Sequence, residues 1–249
     1  GIDIIAISGG DGTAHRTMEI LVEVYGDAPM PPILLLPTGT QNMVPRSFGI
    51  EGTGLANLML AGARYRHNIP MRCIKRNLLR VNGHLSFMFG FGVAARFMVD
   101  YYGSGEVNPV GASKLLAKLV ASAAVGGEMS KRLLEPIEIE LSVDDVIDRE
   151  KVTVHTFFAS FVERLPLHFV LFPRCGRDEG VFELVYSGTN PIKLAAHFPA
   201  ILSGSAKPLA GITRKLARSV RVKLPSPESY TLDGELYDPV DHFDIESGP

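Results

Sequence analysis

A glycine-rich stretch near the start of the chain, Gly9–Thr13 (GGDGT), most constrains what the chain can fold into. It follows an apolar run, Ile4–Ile7, which predicts a short buried strand, and it precedes apolar residues at helical spacing over 18–25. Glycines let the backbone approach a ligand closely, and Thr13 stands where a helix N-cap is expected. Together these features predict a phosphate-binding turn, because N–H groups at a helix start attract anions.

The loop also contains an acid, Asp11. A carboxylate repels a polyphosphate unless a divalent cation, or a proton to be abstracted, comes with it. The structural alternative is an aspartate that stabilises its own glycine-rich turn. The residues alone leave both interpretations open.

Residues 1–66 alternate strand and helix patterns, which predicts a parallel sheet covered by helices. Its second strand, Ile33–Leu36, is apolar throughout, and a helix is expected near 55–63. The loops that follow the two strands are expected at one sheet edge, where such sheets bind ligands. The sequence therefore predicts an α/β, doubly wound N-terminal domain.

Residues 67–240 change to the alternation of half-buried antiparallel strands. The expected strands are 137–143, 152–156, 182–185 and 220–224, and the expected helices lie near 111–124 and 190–203. This pattern predicts a second, β-rich domain.

Two further motifs, together with the loop, carry a resemblance to a known family. Leu36–Asn42 (LPTGTQN) is followed by Arg46–Ile50 (RSFGI), and Leu232–Glu235 (LDGE) lies near the C-terminus. In this order the motifs resemble the diacylglycerol kinase catalytic-domain family, close to its bacterial members and related to sphingosine kinase and NAD kinase. The resemblance implies a Rossmann-like, NAD kinase-like first domain and a β-sandwich second domain. It also implies that the first domain is truncated at its N-terminus, and it allows residues near 240–249 to return to that domain.

The family's activity implies an ATP-dependent lipid kinase that transfers the γ-phosphate to a lipid hydroxyl, with diacylglycerol as the first choice and Mg²⁺ as a cofactor. Glu235 is the implied general base, and Asp11 either shares or takes this role. The implied nucleotide contacts are Gly9, Gly10, Asp11, Gly12, Thr13, Ala14, His15, Arg16, Thr40 and Asn42. By position, Glu179 would offer Mg²⁺ a carboxylate, and Gly176 and Val181 would offer carbonyl groups.

Several residues depart from the family pattern. His15 and Arg16 stand where asparagine and glutamate are usual, Gln41 replaces a small residue, and Met43 replaces an aspartate. Three alternatives stay open. One is a kinase for sphingoid bases or other lipid alcohols, and another is a soluble kinase of the NAD kinase type, which shares GGDGT. The third is a non-catalytic relative that binds lipid or nucleotide, which His15, Arg16 and Met43 keep open.

Without the family, the same motifs have simpler explanations. Asp233-Gly234 is a favoured hairpin turn, and Asp178-Glu179 is typical of a surface turn. Arg16 and the basic residues over 214–223 suit solvated faces, although a basic patch also suits an anionic membrane surface.

Composition limits the partners and the compartment. A net charge of −2 argues against nucleic-acid binding through overall charge, and no apolar run approaches the roughly 20 residues that span a bilayer. The two cysteines, Cys73 and Cys175, lack metal-site spacing, which favours a reducing cytoplasm. We therefore expect a cytoplasmic protein of phospholipid biosynthesis that meets its lipid substrate at a membrane surface, peripherally. A homodimer stays open.

Overall fold

The computed structural model describes residues 1–40, 42–144, 150–164, 170–176, 178–205 and 207–249. Gln41, one of the departures noted above, lies outside the described residues. The chain divides into two compact units, residues 1–76 with Pro249 and residues 77–248. The boundary between the units lies after residue 76, whereas the sequence pattern predicted it after residue 66.

The first unit alternates strands and helices. Its elements are β1 (Ile5–Gly9), α1 (Asp11–Tyr25), β2 (Ile33–Pro37), α2 (Met43–Ser47) and α3 (Gly54–Arg66). Strands β1 and β2 are parallel neighbours, with Gly9 opposite Pro37 at their carboxyl ends. The glycine loop and the turn after β2 therefore leave the same sheet edge, which confirms that expectation.

The start of α1 differs from the prediction. The helix begins at Asp11 and its N-cap is Gly10, which has extended backbone angles and no capping side chain, so the prediction of Thr13 as the N-cap is wrong. The physical reason is steric. Thr13 lies in the first turn of α1, and its side chain occupies the space that a Cβ on Gly9 would need. Glycine at position 9 removes this clash, so the helix can begin at Asp11.

The second unit is built mainly of antiparallel strands. Its elements are β3 (Leu79–Val81), β4 (His84–Ser86), β5 (Met88–Gly92), α4 (Val93–Gly103), α5 (Pro109–Val125), α6 (Glu128–Leu133), β6 (Ile137–Val143), β7 (Glu150–Val154), β8 (Thr156–Ser160), β9 (Phe182–Ser187), α7 (Pro191–Leu202), β10 (Ile212–Ala217), β11 (Ser219–Leu232) and β12 (Glu235–Ser247). Within the described residues these strands form one ten-stranded sheet, in the order β10-β9-β8-β5-β11-β12-β3-β4, with β6 pairing with β11 and β7 with β6.

This architecture confirms the predicted fold class, an α/β protein whose C-terminal part is rich in β-structure. The long strand β11 explains how one sheet encloses a core. It pairs with β6 through residues 220–223 and with β5 through residues 230–232, with register irregularities between the two stretches. Strand β12 keeps residues 235–247 in this sheet, next to β11 and β3.

The two faces of the sheet carry different side chains. On β9, Phe182, Leu184 and Tyr186 belong to the main hydrophobic core, so the alternate residues Glu183, Val185 and Ser187 point to the opposite face. Phe89 and Phe91 of the aromatic stretch over 87–92 also belong to this core, and both are fully buried.

One expected strand, 152–156, is instead two. Strand β7 ends at Val154 and β8 begins at Thr156, because His155 between them is held by contacts of its own. Its backbone N–H donates to the Ser187 carbonyl at 2.9 Å, and its ring Nε2 lies 2.7 Å from the Thr189 carbonyl oxygen. The carbonyl contact makes Nε2 the donor, so the buried ring is fixed in one neutral tautomer.

His155 should make the protein less stable in acid. Burial lowers the pKa of His155, although the Thr189 hydrogen bond opposes this shift. Below pH of about 6.5, His155 becomes protonated in the unfolded chain but stays neutral in the folded chain. The free energy of unfolding therefore falls as the pH drops. Urea denaturation from neutral to mildly acidic pH should show this slope, and His155→Gln should flatten it. Equal slopes for the two proteins would contradict the assignment.

Candidate functional site

In the first unit, the glycine loop and the turn after β2 touch through their backbones. A Cβ added to Gly39 would collide with the Cα of Gly10, so only glycine permits this approach. Asn42 closes the turn from a left-handed conformation, with φ of 51°. Its Nδ2 donates to the Gly39 carbonyl at 2.6 Å, and its Oδ1 accepts from the Gly39 N–H at 2.9 Å. The Asn42 amide is therefore engaged within the turn, and its predicted contact with nucleotide stays a prediction.

Asp11 links this loop to α2. Its Oδ2 accepts from the Met43 N–H at 3.0 Å, and its Oδ1 accepts from the Val44 N–H at 2.9 Å. A carboxylate at the start of α2 satisfies two N–H groups that a helix start leaves without backbone partners. Because only the backbone of residue 43 takes part, methionine can replace the family's usual aspartate without loss of this contact.

Removing the Asp11 carboxylate should destabilise the first unit. Asp11→Ala leaves two N–H groups unsatisfied and should lower the free energy of unfolding by about 2 kcal/mol, whereas Asp11→Asn keeps one acceptor and should cost about 1 kcal/mol. Urea denaturation measures both changes. Asp27→Ala, an exposed aspartate of the same unit, is the matched control. Equal denaturation midpoints for Asp11→Ala and the control would rule out the structural role.

The other predicted nucleotide contacts differ in exposure. Gly12, Thr13 and Thr40 are exposed around the loop, while Ala14 lies buried inside α1. Within the described residues, no side-chain capping hydrogen bond forms at the Gly10 N-cap of α1. A phosphate could therefore bind at this helix start.

His15 and Arg16 both approach one carboxylate on the same helix. His15 is 3% exposed and its Nε2 lies 3.5 Å from Glu19 Oε2, while Arg16 Nη1 is 3.0 Å from the same oxygen. Arg16 is 60% exposed, so this pair contributes little to stability. The geometry gives the two departures from the family pattern a common partner, and their predicted contact with nucleotide stays a prediction.

In the second unit, the LDGE motif forms the hairpin between β11 and β12. Leu232 pairs with Glu235, and the two residues between them have positive φ values of 50° and 91°. This is the two-residue turn that Asp-Gly favours, so the predicted hairpin is confirmed.

Asp233 attaches this hairpin to the neighbouring strand. Its carboxylate accepts from the Phe87 N–H at 3.1 Å and from the Met88 N–H at 2.9 Å, while its own N–H donates to the Met88 carbonyl at 2.9 Å. On the other side, Tyr102 Oη of α4 donates to the Gly234 carbonyl at 3.0 Å. Burial raises the pKa of Tyr102, and the negative charge of Glu235 adds to the shift, which places the Glu235 carboxylate near this phenol.

An apolar cavity of about 270 Å³ lies beside the hairpin. Helices α4, α5 and α7 supply one wall and the sheet supplies the other. Its polar lining residues are Thr156, Ser187 and Thr231, and its wall includes Gly234, the residue before Glu235. The cavity is small for a ligand site, and its lining suits an aliphatic chain rather than a polar molecule.

Sequence analysis missed this cavity because it missed α4. Ala94, Phe97, Met98 and Tyr101 recur at helical spacing, but the aromatic run that precedes them draws attention to a strand instead. The other two helices of the wall, near 111–124 and 190–203, are confirmed as α5 and α7, although their shared contact surface has no local signal.

The predicted Mg²⁺ site lies in the turn before β9. Glu179 is exposed, and Arg218 Nη1 donates to the Glu179 carbonyl at 3.1 Å. A guanidinium group at this position disfavours a dication. Among the described residues, no three carboxylate, imidazole or thiol side chains come together as a metal-binding group. These residues do not by themselves fit Mg²⁺, and the roles of Glu179, Gly176 and Val181 stay predictions.

Residues 1–72 match the family model of the diacylglycerol kinase catalytic domain. The predicted resemblance to this family is thereby confirmed over these residues. The matched segment includes the glycine loop, the turn after β2 and the Asp11 contact with α2. No curated protein matches the chain.

Solved structures extend the likeness of fold to the whole chain. A Bacillus anthracis strain Sterne protein assigned as a diacylglycerol kinase aligns with a TM-score of 0.71 at 15% identity, covering 98% of this chain and 74% of its own. A second structure, of a diacylglycerol kinase from the same strain, aligns with a TM-score of 0.62 at 14% identity, covering 98% and 73%. At these identities the alignments show a shared fold. Within the described residues, no helix is long and apolar enough to cross a membrane.

Proposed function

We propose that the chain is an ATP- and Mg²⁺-dependent lipid kinase that transfers the γ-phosphate to a hydroxyl group of diacylglycerol. The observation that carries the proposal is the apolar cavity whose wall ends at Gly234. An acyl chain bound there would bring its polar end towards Glu235, the next residue. A polar metabolite would gain nothing from such a lining.

The first unit supports the nucleotide half of the proposal. The close approach of Gly10 to Gly39, where a Cβ would collide, brings the two loops together, and the start of α1 without a capping side chain suits a phosphate. Thr13 and Thr40 carry exposed hydroxyl groups in these two loops. Mg²⁺, if it enters bound to ATP, would supply the positive charge that the phosphate groups need during transfer.

The hydrogen bonds favour Glu235 over Asp11 as the general base. Both Asp11 oxygens already accept backbone N–H groups, which suits a structural role. In the LDGE motif the equivalent structural role belongs to Asp233, whereas Glu235 follows Gly234, which lines the cavity. A carboxylate there can accept the proton of a hydroxyl group as the oxygen attacks phosphorus.

Turnover with γ-labelled Mg-ATP and a lipid panel tests the proposal. Diacylglycerol, a sphingoid base and a simple long-chain alcohol should be offered in mixed micelles, and label should appear in diacylglycerol. Label in the sphingoid base alone would show that the substrate is a sphingoid base instead of diacylglycerol. Nucleotide binding without label in any lipid would support the non-catalytic alternative. Peripheral binding to vesicles and a cytoplasmic location belong to the same proposal.

A matched pair of variants on α7 tests the cavity itself. Ala195 lines the cavity, whereas its neighbour Ala196 is exposed. Ala195→Phe should raise the KM for diacylglycerol by about tenfold, the effect of about 1.4 kcal/mol of lost binding, and should leave ATP binding unchanged. Ala196→Phe makes the same change in helix propensity and should leave both constants unchanged. Equal effects of the two variants on lipid turnover would refute the cavity as the lipid site.

A further inference from the structure

A cluster of charged residues lies between β9 and β10. Glu183 is fully buried, and both its carboxylate oxygens bind Arg174: Oε2 accepts from the backbone N–H at 2.8 Å and Oε1 from Nε at 3.2 Å. A second guanidinium group, that of Arg214, lies close enough to interact electrostatically with both Glu183 and Arg174. Two cations therefore share one carboxylate, which leaves a net positive charge.

Arg214 presents the edge that binds oxyanions. Its Nη1 donates to the Ser205 carbonyl at 2.8 Å. Its Nε and Nη2 are buried and, within the described residues, have no hydrogen-bond partner, and the same holds for Arg174 Nη2. Nε and Nη2 form one edge of the guanidinium group, and this pair of parallel donors matches two oxygens of a phosphate or carboxylate group.

The strand register places this edge on the helix-covered face of the sheet. Arg214 pairs with Val185, two residues from Glu183, so the three side chains lie on one face. Val185 and Ile212 of the same face line the apolar cavity. The expectation that residues over 214–223 form a solvated face is therefore wrong for Arg214, because alternation along β10 turns it away from its neighbour Lys215.

This arrangement is costly unless an anion completes it. Burial lowers the pKa of Arg214 and Arg174 repels it, while Glu183 opposes both effects. A buried donor without a partner costs stability, and more so when it carries charge. The Arg174 side chain is 34% exposed, so the cluster reaches the surface at that residue.

We propose that Arg214 and Arg174 form a binding site for a phosphate group, separate from the proposed sites for nucleotide and lipid hydroxyl. The group binds the Nε–Nη2 edge of Arg214 and Nη2 of Arg174, and Glu183 holds Arg174 in position. Phosphate matches the site better than a single-atom anion such as chloride, since two oxygens are needed for the two parallel donors. The phosphate comes either from a free phosphate ion or from the head group of an anionic lipid.

Calorimetric titration of the full chain with inorganic phosphate, at constant ionic strength set with chloride, tests the site. Arg214→Lys keeps the charge and removes the paired donors, so its affinity for phosphate should fall at least tenfold. Lys215→Gln changes the charge of the next residue, which points to the opposite face and lies near Glu150, and its affinity should equal that of the native chain. Equal affinities for the native chain and Arg214→Lys would overturn the proposal.

Vesicles of phosphatidylcholine, with and without phosphatidic acid, distinguish the two sources. Binding that requires both phosphatidic acid and Arg214, without binding of inorganic phosphate, identifies a lipid head group. Binding of inorganic phosphate with no preference for phosphatidic acid identifies the free ion. If Arg214→Lys does not fold, Arg174→Lys replaces it in both measurements. Failure of the native chain to bind either probe would overturn the proposal, whatever the outcome of the kinase assay.

Discussion

Glu235→Gln is expected to reduce lipid phosphorylation by about 10²- to 10⁴-fold, the usual contribution of a general base. Glutamine keeps the shape and the hydrogen-bonding capacity of the side chain but cannot take a proton at neutral pH. The loss should therefore appear in kcat, while the KM values for ATP and lipid change little. Initial rates with γ-labelled Mg-ATP and diacylglycerol provide the measurement.

The matched control lies on the same strand. Glu246→Gln also removes one carboxylate from β12, but Glu246 is exposed and its contact is with Arg80, away from the hairpin. Its kcat should stay within a factor of two or so of the native value, because weakening an exposed ion pair costs well under 1 kcal/mol. Unchanged turnover in Glu235→Gln would exclude Glu235 as the base and return that role to Asp11.

Asp233→Ala is expected to lower the free energy of unfolding of the second unit by about 3 kcal/mol. Two N–H groups, those of Phe87 and Met88, would lose their acceptor, and each such loss costs about 1–3 kcal/mol. Alanine also tolerates the left-handed conformation at this position less well than aspartate. Urea denaturation measures the change.

Two further variants separate the causes of this destabilisation. Asp233→Asn keeps one acceptor oxygen and tolerates positive φ, so it should lose only about 1 kcal/mol. Asp238→Ala removes an exposed aspartate from the same hairpin and should leave the denaturation midpoint unchanged. An Asp233→Ala protein as stable as the Asp238→Ala control would show that the bonds to β5 contribute nothing.

The local sequence pattern was sufficient to predict the strands and the hairpin next to the candidate ligand-binding loops. The apolar runs before each loop identify β1 and β2, since a strand covered on both sides has no polar alternation. Asp-Gly alone identifies the hairpin at residues 233–234, because both positions require positive φ. The helix start at Asp11 was misplaced by three residues, since a threonine can cap a helix or lie within its first turn.

The sequence could not show contacts between residues that are far apart along the chain. Asp11 contacts backbone groups 32 and 33 residues away, and Asp233 contacts groups about 145 residues away, so their structural roles have no local signal. The cavity arises where three helices cover one sheet face, which only the assembled unit shows. The placement of Arg214 on the helix-covered face depends on the pairing of β10 with β9, and no strand over 212–217 was predicted.

In the second unit, the contacts of Asp233 and Tyr102 connect the hairpin, β5 and α4 in a closed ring of interactions. Asp233 binds the first residue of β5, β5 runs directly into α4, and Tyr102 at the end of α4 returns to Gly234. Helix α4 also lines the cavity. Any displacement of α4 by a molecule entering the cavity must therefore shift the hairpin or break one of these bonds, so cavity filling and the position of the Glu235 backbone are mechanically linked.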